Sequence, residues 1–166
     1  MTWKERSSID KKDLSLPILQ VYTWILTADE YLIIVSKDGY QWQLPGGKPD
    51  FKEEIKDTAI RETMEETGLD LIAYKDVLKF FGYYIVEDLK SGNHERILQI
   101  RLFCRINLTK TELKLGTENE DQGQLQGEMI QHVKAVKVNQ AEEIIPWLNK
   151  SGEYLTLIKN NMIKNV

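Results

Sequence analysis

Hydrophobic residues recur along much of the chain at every second position or in short unbroken runs, which is typical of β-strands. Two β-branched and aromatic runs, at residues 18–24 and 31–36, are separated by residues suited to a turn and predict a hairpin. Strict alternation over residues 97–106 predicts a further strand with one apolar face. Residues 77–86 are its expected partner.

Three further segments complete the predicted sheet and its connections. A short strand at residues 42–44 is expected to run into the turn formed by Pro45, Gly46 and Gly47. Residues 116–127 are polar and rich in glycine, which predicts a surface loop. A strand at residues 131–138 is expected to follow that loop.

Two helices are predicted in the last third of the chain. Asn139 is expected to cap a helix that includes residues 141–145, with Pro146 ending or kinking it. A final helix over residues 153–164 is expected to pack through three residues at helical spacing, namely Leu155, Ile158 and Met162. Because strands and helices are interleaved, we expect an α/β (α+β) fold in which helices flank a mixed β-sheet.

The length and composition fit one globular domain. The chain has 166 residues, of which 42% are hydrophobic and 29% are charged, as in ordinary soluble proteins. Residues 1–15 are polar and are expected to form a poorly ordered arm or an extra edge element. Residues 16–166 are expected to form a single domain that includes the C-terminal helices.

Charge and cysteine content narrow the classes of partner and compartment. The formal net charge of −4 argues against broad binding to nucleic acids or anionic membranes. Cys104 is the only cysteine, which excludes an intramolecular disulfide and favours a reducing compartment. Residues 1–14 contain no apolar stretch of the secretory type, and no run of the sequence is long enough to span a bilayer. We therefore expect a cytoplasmic protein with neither a nucleic-acid nor a membrane partner.

The most informative segment lies at residues 47–69 and has the sequence GKPDFKEEIKDTAIRETMEETGL. In a helix, positions i, i+3 and i+4 lie on one side, so Glu62, Glu65 and Glu66 would converge. Carboxylates that converge in this way repel each other unless a cation holds them together. The segment therefore predicts a divalent-metal site on a helix.

Part of the same segment has a purely structural explanation. Asp50 is a candidate N-cap, and Glu53 follows it at the spacing of the acid in a capping box. Gly68 suits the left-handed position just past a helix end. Helix capping alone would thus account for Glu53 and Gly68 without any chemistry.

The other acids are harder to explain as a solvated helix surface. At about 100° per residue, Glu62 and Glu66 project within roughly 40° of the apolar side of the helix. Ile55 and Ala59 mark that side. An unpaired carboxylate there would cost several kcal/mol or take up a proton. The alternative is a solvated acidic face, but such a face would point away from the apolar residues.

The segment resembles the Nudix box, G-x5-E-x7-R-E-U-x-E-E-x-G-U, in which U is an aliphatic residue. Every fixed residue of the box is present at its spacing: Gly47, Glu53, Arg61, Glu62, Glu65, Glu66, Gly68 and Leu69. Thr63 stands at the first U position, where its β-branched shape and methyl group can still pack. The lead-in at residues 44–47 (LPGG) is also similar to that of the family. The resemblance implies the Nudix-type α/β/α sandwich and extends loosely over residues 18–148.

The resemblance also implies an activity and a cofactor. Nudix enzymes cleave the pyrophosphate of nucleoside diphosphate derivatives or nucleoside triphosphates, usually with Mg²⁺ or Mn²⁺. Glu65 and Glu66 would then be metal ligands, assisted by the Gly46 carbonyl, and Glu62 would bind metal or activate water. Hard oxygen ligands of this kind suit Mg²⁺, which bridges substrate phosphates.

Further catalytic roles follow from the same resemblance. Arg61 would orient the box carboxylates by ion pairing, and Glu53 would support the site. Many members of the family take another acid, as ligand or base, from a loop well after the box. Four residues compete for that role, namely Glu118, Glu120, Asp121 and Glu128. Glu128 is preferred because it precedes the strand expected at residues 131–138, much as an acid often precedes the corresponding strand of the family. The alternative is that these acids only keep a loop soluble.

Substrate contacts are expected around the glycine pair, because Gly46 and Gly47 let phosphate approach the backbone closely. Candidate phosphate-binding cations are Lys37, which ranks first, Lys48, Arg96, Arg101 and Arg105. Each of them could equally be an ordinary surface charge. Trp42 and Tyr84 are candidates for stacking on a base, although aromatic residues at strand spacing belong more often to the core.

Two functions are compatible with these residues. The first is a metal-dependent Nudix hydrolase acting on a nucleotide-type small molecule. The alternative is a Nudix-fold domain that binds or senses a nucleotide without cleaving it, and the retained box carboxylates favour the enzyme. The sequence identifies neither the nucleotide substrate nor the oligomeric state. A homodimer would agree with the resemblance, since many members of the family dimerise.

Overall fold

The computed structural model describes residues 1–88, 92, 94–116, 132–148 and 151–164. The strands are β1 (Thr2–Glu5), β2 (Ile18–Leu26), β3 (Tyr31–Ser36), β4 (Gly46–Gly47), β5 (Lys79–Asp88), β6 (Glu95–Arg105) and β7 (His132–Lys137). The helices are α1 (Ile55–Thr67), α2 (Ala141–Ile144) and α3 (Gly152–Lys159). Short 3₁₀ turns occur at Lys11–Asp13, Ile72–Tyr74 and Val138–Gln140. Beyond Gly116, the loop predicted at residues 116–127 lies outside the described residues. The same holds for the four candidate acids Glu118, Glu120, Asp121 and Glu128.

One mixed sheet organises the described part of the chain. Its strand order is β1-β5-β6-β2-β3-β7, with β4 paired to β2. The β2/β6 pair is parallel, with Val21 opposite Ile100, and its neighbours in the sheet are antiparallel. The predicted hairpin of β2 and β3 and the predicted pairing of β5 with β6 are both present.

Both faces of the sheet are covered, which gives two hydrophobic layers. On one face, Val21, Ile100 and Cys104 pack with Ala59 of α1. On the other face, Trp24 and other side chains of the sheet pack with residues of α2 and α3. Helix, sheet and helix therefore stack as three layers, and this confirms the predicted α/β/α sandwich with a mixed sheet. None of the described helices is long and apolar enough to cross a membrane.

Several predicted boundaries are wrong. Instead of a strand at residues 42–44, Gln43 forms a single bridge to Val35, and the true strand β4 begins at Gly46. Gln140, and not Asn139, is the N-cap of α2, because a 3₁₀ turn occupies the position expected for the cap. These errors arise where short elements are decided by tertiary pairing and not by local propensity.

The last helix was predicted with the wrong length and partly the wrong face. α3 ends at Lys159, well before residue 164, and Leu155 is 64% exposed. Its buried positions include Glu153, Tyr154 and Leu157. The prediction placed apolar residues inwards and therefore missed that a glutamate occupies the buried face.

The N-terminal segment supplies an edge strand, which was one of its two expected forms. β1 pairs with β5, and Trp3 reaches from it to α3, where its Nε1 donates to Thr156 Oγ1 at 3.1 Å. Added Cβ atoms on Gly82 and Gly152 would lie 2.3 and 2.5 Å from the Trp3 ring. Both glycines therefore make room for the indole, which joins the edge of the sheet to α3.

Candidate active site

Helix α1 carries most of the box residues, and only its C-terminal end agrees with the prediction. It begins at Ile55 with Glu54 as N-cap, so the prediction of Asp50 as N-cap is wrong. Asp50 instead donates its N–H to Glu53 Oε1 at 3.2 Å within the loop before the helix. The helix ends at Gly68, whose φ of 74° is left-handed and whose N–H donates to the Met64 carbonyl, as the sequence predicted.

Arg61 is the centre of the ionic contacts in the box. Its Nε and Nη2 donate to the two carboxylate oxygens of Glu53 at 2.8 and 3.0 Å. Its Nη1 donates to Glu62 Oε1 at 2.8 Å and to Glu65 Oε2 at 3.3 Å. The Lys48 carbonyl accepts a further bond from Nη2 at 3.0 Å, which ties the arginine to the loop before the helix. One guanidinium therefore fixes three acids relative to one another.

Glu53 is the most strongly ionised acid of the group. The Arg61 guanidinium lowers the pKa of the Glu53 carboxyl to about 2, although burial acts in the opposite direction. Thr58 Oγ1 also donates to Glu53 Oε1, at 2.6 Å. Glu53 is therefore committed to Arg61 and α1, and it has no raised pKa that would fit a proton-transfer group.

Glu66 has the opposite electrostatics. Burial raises the pKa of its carboxyl to about 8, while the hydrogen bond from Gly46 and the charge of Lys37 oppose the rise. Its Oε2 accepts the Gly46 N–H at 3.1 Å. Lys37 thus lies close enough to act on this carboxylate electrostatically, although its side chain is exposed. A carboxyl with this pKa gains from a nearby cation, because a cation favours the charged form.

Glu62 lies between these two cases, close to the glycine pair. Burial raises the pKa of the Glu62 carboxyl, and the Arg61 guanidinium limits the rise. A Cβ on Gly47 would lie 2.2 Å from Glu62 Oε1. A Cβ on Gly46 would lie 2.1 Å from the Val21 carbonyl oxygen. Gly46 therefore has no room for a side chain beside β2, whereas a side chain at position 47 would displace the Glu62 carboxylate.

These donors fit a hard divalent cation, although they are not gathered around one point. No group of three or more His, Cys, Asp or Glu side chains in the described ranges is arranged to hold a metal ion. Arg61 draws Glu62 and Glu65 towards itself, whereas Glu66 turns to Gly46. Burial raises the pKa of both Glu62 and Glu66, a nearby cation would favour their charged forms, and oxygen donors of this kind suit Mg²⁺ or Mn²⁺.

The candidate substrate residues have different surroundings. Lys37 and Lys48 are exposed, and Trp42 is partly buried beneath Lys134, whose Nζ is 4.0 Å from the ring centroid. Tyr84 does not fit its proposed role, because it is 3% exposed and packs against Trp3 at 4.8 Å between ring centroids. Tyr84 is therefore a core residue.

Two of the candidate phosphate-binding arginines are engaged elsewhere. Arg101 is 4% exposed and donates from Nε to Glu153 Oε2 at 2.5 Å. Arg105 donates from Nη1 to Glu30 Oε1 at 2.5 Å and from Nη2 to the Met162 carbonyl at 2.8 Å. Their strand position suggested a polar face, but that face is covered by α3 and the segment after it, so both cations serve the fold.

Sequence reasoning missed Tyr22, which lies beside the glycine pair. It is opposite Gly46 in the β2/β4 pairing, and a Cβ on Gly46 would lie 2.8 Å from its Cδ1. The signal available was its place on a strand next to Val21, yet pairing of that strand with Gly46 could not be foreseen from local pattern. Glu153 was missed for the same reason, since its partner Arg101 is distant in sequence.

Comparisons with known proteins agree with this geometry. A family model described as NUDIX domain matches residues 19–156, and no curated protein matches the chain. A mutant of the pyrophosphohydrolase BsRppH from Bacillus subtilis superposes with a TM-score of 0.62 and 16% identity, covering 96% of this chain and 90% of its own. The NUDIX domain of Shewanella oneidensis NrtR, complexed with ADP ribose, gives a TM-score of 0.57 and 15% identity over 93% and 92% of the two chains.

A third structure is a bifunctional NMN adenylyltransferase/ADP ribose pyrophosphatase from Francisella tularensis, complexed with AMP and a Mn ion. Its TM-score is 0.58 at 14% identity, over 88% of this chain and 42% of its own. At such identities these three structures show a shared fold, while the family match rests on the sequence itself. Because that match spans most of the chain and includes the box, the chain belongs to the Nudix hydrolase family.

Proposed function

We propose that this enzyme hydrolyses the pyrophosphate linkage of a nucleoside diphosphate derivative or a nucleoside triphosphate, with Mg²⁺ or Mn²⁺ as cofactor. The observation that carries the proposal is the electrostatics of Glu62 and Glu66. Both carboxyls have a raised pKa beside the glycine pair at which phosphate can approach the backbone. A cation bound with a polyphosphate would favour the charged form of both carboxylates.

The metal-binding roles are assigned within α1 and β4. Glu65, Glu66 and the Gly46 carbonyl would hold the cation, and Glu62 would bind it or hold the attacking water. A bound cation would supply positive charge to the phosphoryl oxygens and a more acidic water. Arg61 orients Glu62 and Glu65, because its Nη1 donates to Glu62 Oε1 at 2.8 Å and to Glu65 Oε2 at 3.3 Å. Its positive charge also limits the repulsion between the two carboxylates.

The substrate-binding roles are assigned to the entrance of the site. Gly47 would accept a phosphate close to its backbone, and the exposed Lys37 and Lys48 would meet the remaining phosphate charge. Trp42 would contact the base from its partly buried position. Glu128 remains the proposed additional acid from the segment after the box, and the Glu128→Gln variant would test its contribution to turnover.

Known relatives of the fold support the substrate and metal classes. The solved structures include one complexed with ADP ribose and one complexed with AMP and a Mn ion. A nucleotide with at least one phosphate is therefore the first ligand class to test. A cytoplasmic location and a small-molecule partner belong to the same proposal, as does a homodimer.

The decisive experiment is a substrate panel with Mg²⁺, Mn²⁺ or chelator, in which products are identified by mass. The panel includes ADP-ribose, dinucleoside polyphosphates, nucleotide sugars and nucleoside triphosphates. Glu65→Gln and Glu66→Gln are expected to lower turnover by about 10²-fold or more while the protein stays folded. Glu54→Gln, an exposed position on the same segment, is the matched control and should keep full activity. Metal-independent turnover, or full activity of both box variants, would contradict the proposal.

A further inference from the structure

A buried cation lies on the face of the sheet opposite α1. The Arg101 guanidinium pairs with Glu153, which has no exposed surface. It also lies over two aromatic rings, at 4.8 Å from the centroid of Tyr22 and 5.0 Å from that of Tyr84. A guanidinium held by a carboxylate and stacked between rings in a desolvated layer is a rigid arrangement.

Tyr22 connects this layer to the box. Its ring packs directly on Gly46, since a Cβ there would lie 2.8 Å from Tyr22 Cδ1. The Gly46 N–H in turn donates to Glu66 Oε2 at 3.1 Å. The contacts therefore run from Arg101 through the Tyr22 ring and the Gly46 peptide to the Glu66 carboxylate.

The electrostatics of Tyr22 agree with this position. Burial raises the pKa of its hydroxyl, Arg101 lowers it in part, and the charges of Glu66 and Glu62 raise it further. Tyr22 is thus within electrostatic reach of both the buried arginine and the box. Tyr84 shares the contact with Arg101 but packs against Trp3 instead.

We propose that Tyr22 is a positioning residue, whose ring, held by Arg101, fixes the Gly46 peptide that orients Glu66. The role of Glu66 in catalysis rests on the proposed function, whereas the positioning itself is a property of the protein without any ligand. A support of this kind acts on the reaction only through the orientation of the carboxylate. Tyr22 therefore differs from a residue that merely fills the core.

Hydrogen exchange of the Gly46 amide, measured by NMR on the metal-free full chain, reads this positioning directly. Ile106, whose N–H donates to the Leu26 carbonyl at 2.8 Å, serves as the internal reference amide. Tyr22→Leu is expected to accelerate exchange of the Gly46 amide about tenfold relative to the Ile106 amide. Without the ring, a local opening of the backbone at Gly46 exposes its amide to exchange. Tyr22→Phe keeps the ring and should stay within about twofold of wild type.

Tyr84→Leu is the matched control, because it removes the other ring that contacts Arg101, and Tyr84 is even more buried than Tyr22. It should leave the Gly46 exchange rate, relative to Ile106, unchanged. An equal acceleration in Tyr84→Leu and Tyr22→Leu, or an unchanged ratio in Tyr22→Leu, would overturn the proposal. If Tyr22→Leu does not fold, the Arg101→Met/Glu153→Met double variant takes its place, since replacing a buried ion pair by apolar residues of similar volume is often neutral or stabilising. It should then accelerate Gly46 exchange relative to Ile106, and an unchanged ratio would equally overturn the proposal.

A second measurement links positioning to the cation. Mn²⁺ titration of the substrate-free protein, followed by electron paramagnetic resonance, should show about tenfold weaker binding for Tyr22→Leu and wild-type binding for Tyr22→Phe. In turnover, Tyr22→Leu should lower kcat while KM stays within about twofold. A wild-type protein that neither binds Mn²⁺ nor hydrolyses any substrate would refute the proposed function, and the exchange ratios would still decide the role of Tyr22.

Discussion

Replacing Glu66 by glutamine tests the electrostatics of the site in the absence of metal and substrate. The Glu66 carboxyl is partly buried and accepts a hydrogen bond from Gly46, and burial raises its pKa to about 8. In the unfolded chain the same carboxyl has its ordinary pKa of 4.5. Folding therefore favours the protonated form, and keeping the group charged at neutral pH lowers the stability of the metal-free protein.

The sign and size of the effect follow from proton linkage. The folded state binds more protons than the unfolded state between pH 4.5 and about 8, so stability is greatest below this window and falls as pH rises through it. The slope approaches about 1.4 kcal/mol per pH unit, which gives a loss of about 2 kcal/mol between pH 5 and pH 7. Glutamine at position 66 does not titrate and should abolish this part of the fall.

Urea unfolding of both proteins at pH 5, 6 and 7 in chelator measures the difference. The free energy of unfolding of Glu66→Gln, relative to wild type, should increase by about 2 kcal/mol from pH 5 to pH 7. Glu143→Gln, an exposed change on α2, should show no such trend. Saturating Mg²⁺ should remove most of the wild-type fall, because a cation favours the charged carboxylate. A difference between wild type and Glu66→Gln that stays constant with pH would refute the reasoning.

Four further predictions concern stability and are tested by urea unfolding at fixed pH. Thr63 Oγ1 is buried without a hydrogen-bond partner among the described residues, so Thr63→Val should stabilise by about 1 kcal/mol. Thr67→Val should instead destabilise by about 1–2 kcal/mol, because its hydroxyl donates to the Thr63 carbonyl at 2.7 Å. Lys52 has a left-handed φ of 61°, so Lys52→Gly should stabilise by up to about 1 kcal/mol. Trp3→Ala should cost about 3 kcal/mol, whereas Trp147→Ala, at a 40% exposed residue, should cost less than about 1.

The parts of the fold that were predicted correctly depend on patterns within one element. The alternating apolar residues of β6 identified its core face, and the β-branched runs identified β2 and β3. Gly68 was identified as a helix end because a left-handed residue is needed there. Each of these features is decided by residues that are neighbours in sequence, so periodicity and propensity contain the necessary information.

The parts that failed depend on pairing between distant segments. Glu153 is fully buried only because Arg101 faces it from the sheet, and a helical pattern cannot show that partner. Asp50 fits a capping box by spacing, yet Glu53 is drawn to Arg61 and the helix starts later. In both places a charge pair formed by the tertiary fold overrides the local preference.

Glu53, Glu62 and Glu66 show why acidic spacing alone is an incomplete sign of a cation site. Glu53 has a full bidentate arginine partner and a lowered pKa, whereas Glu62 shares that arginine and has a raised one. Glu66 accepts its hydrogen bond from a neutral amide and has the highest pKa of the three. Burial therefore separates Glu62 and Glu66 from Glu53, which keeps a full arginine partner. A cation that favours the charged form of both carboxylates would bind beside the glycine pair, where phosphate can approach the backbone.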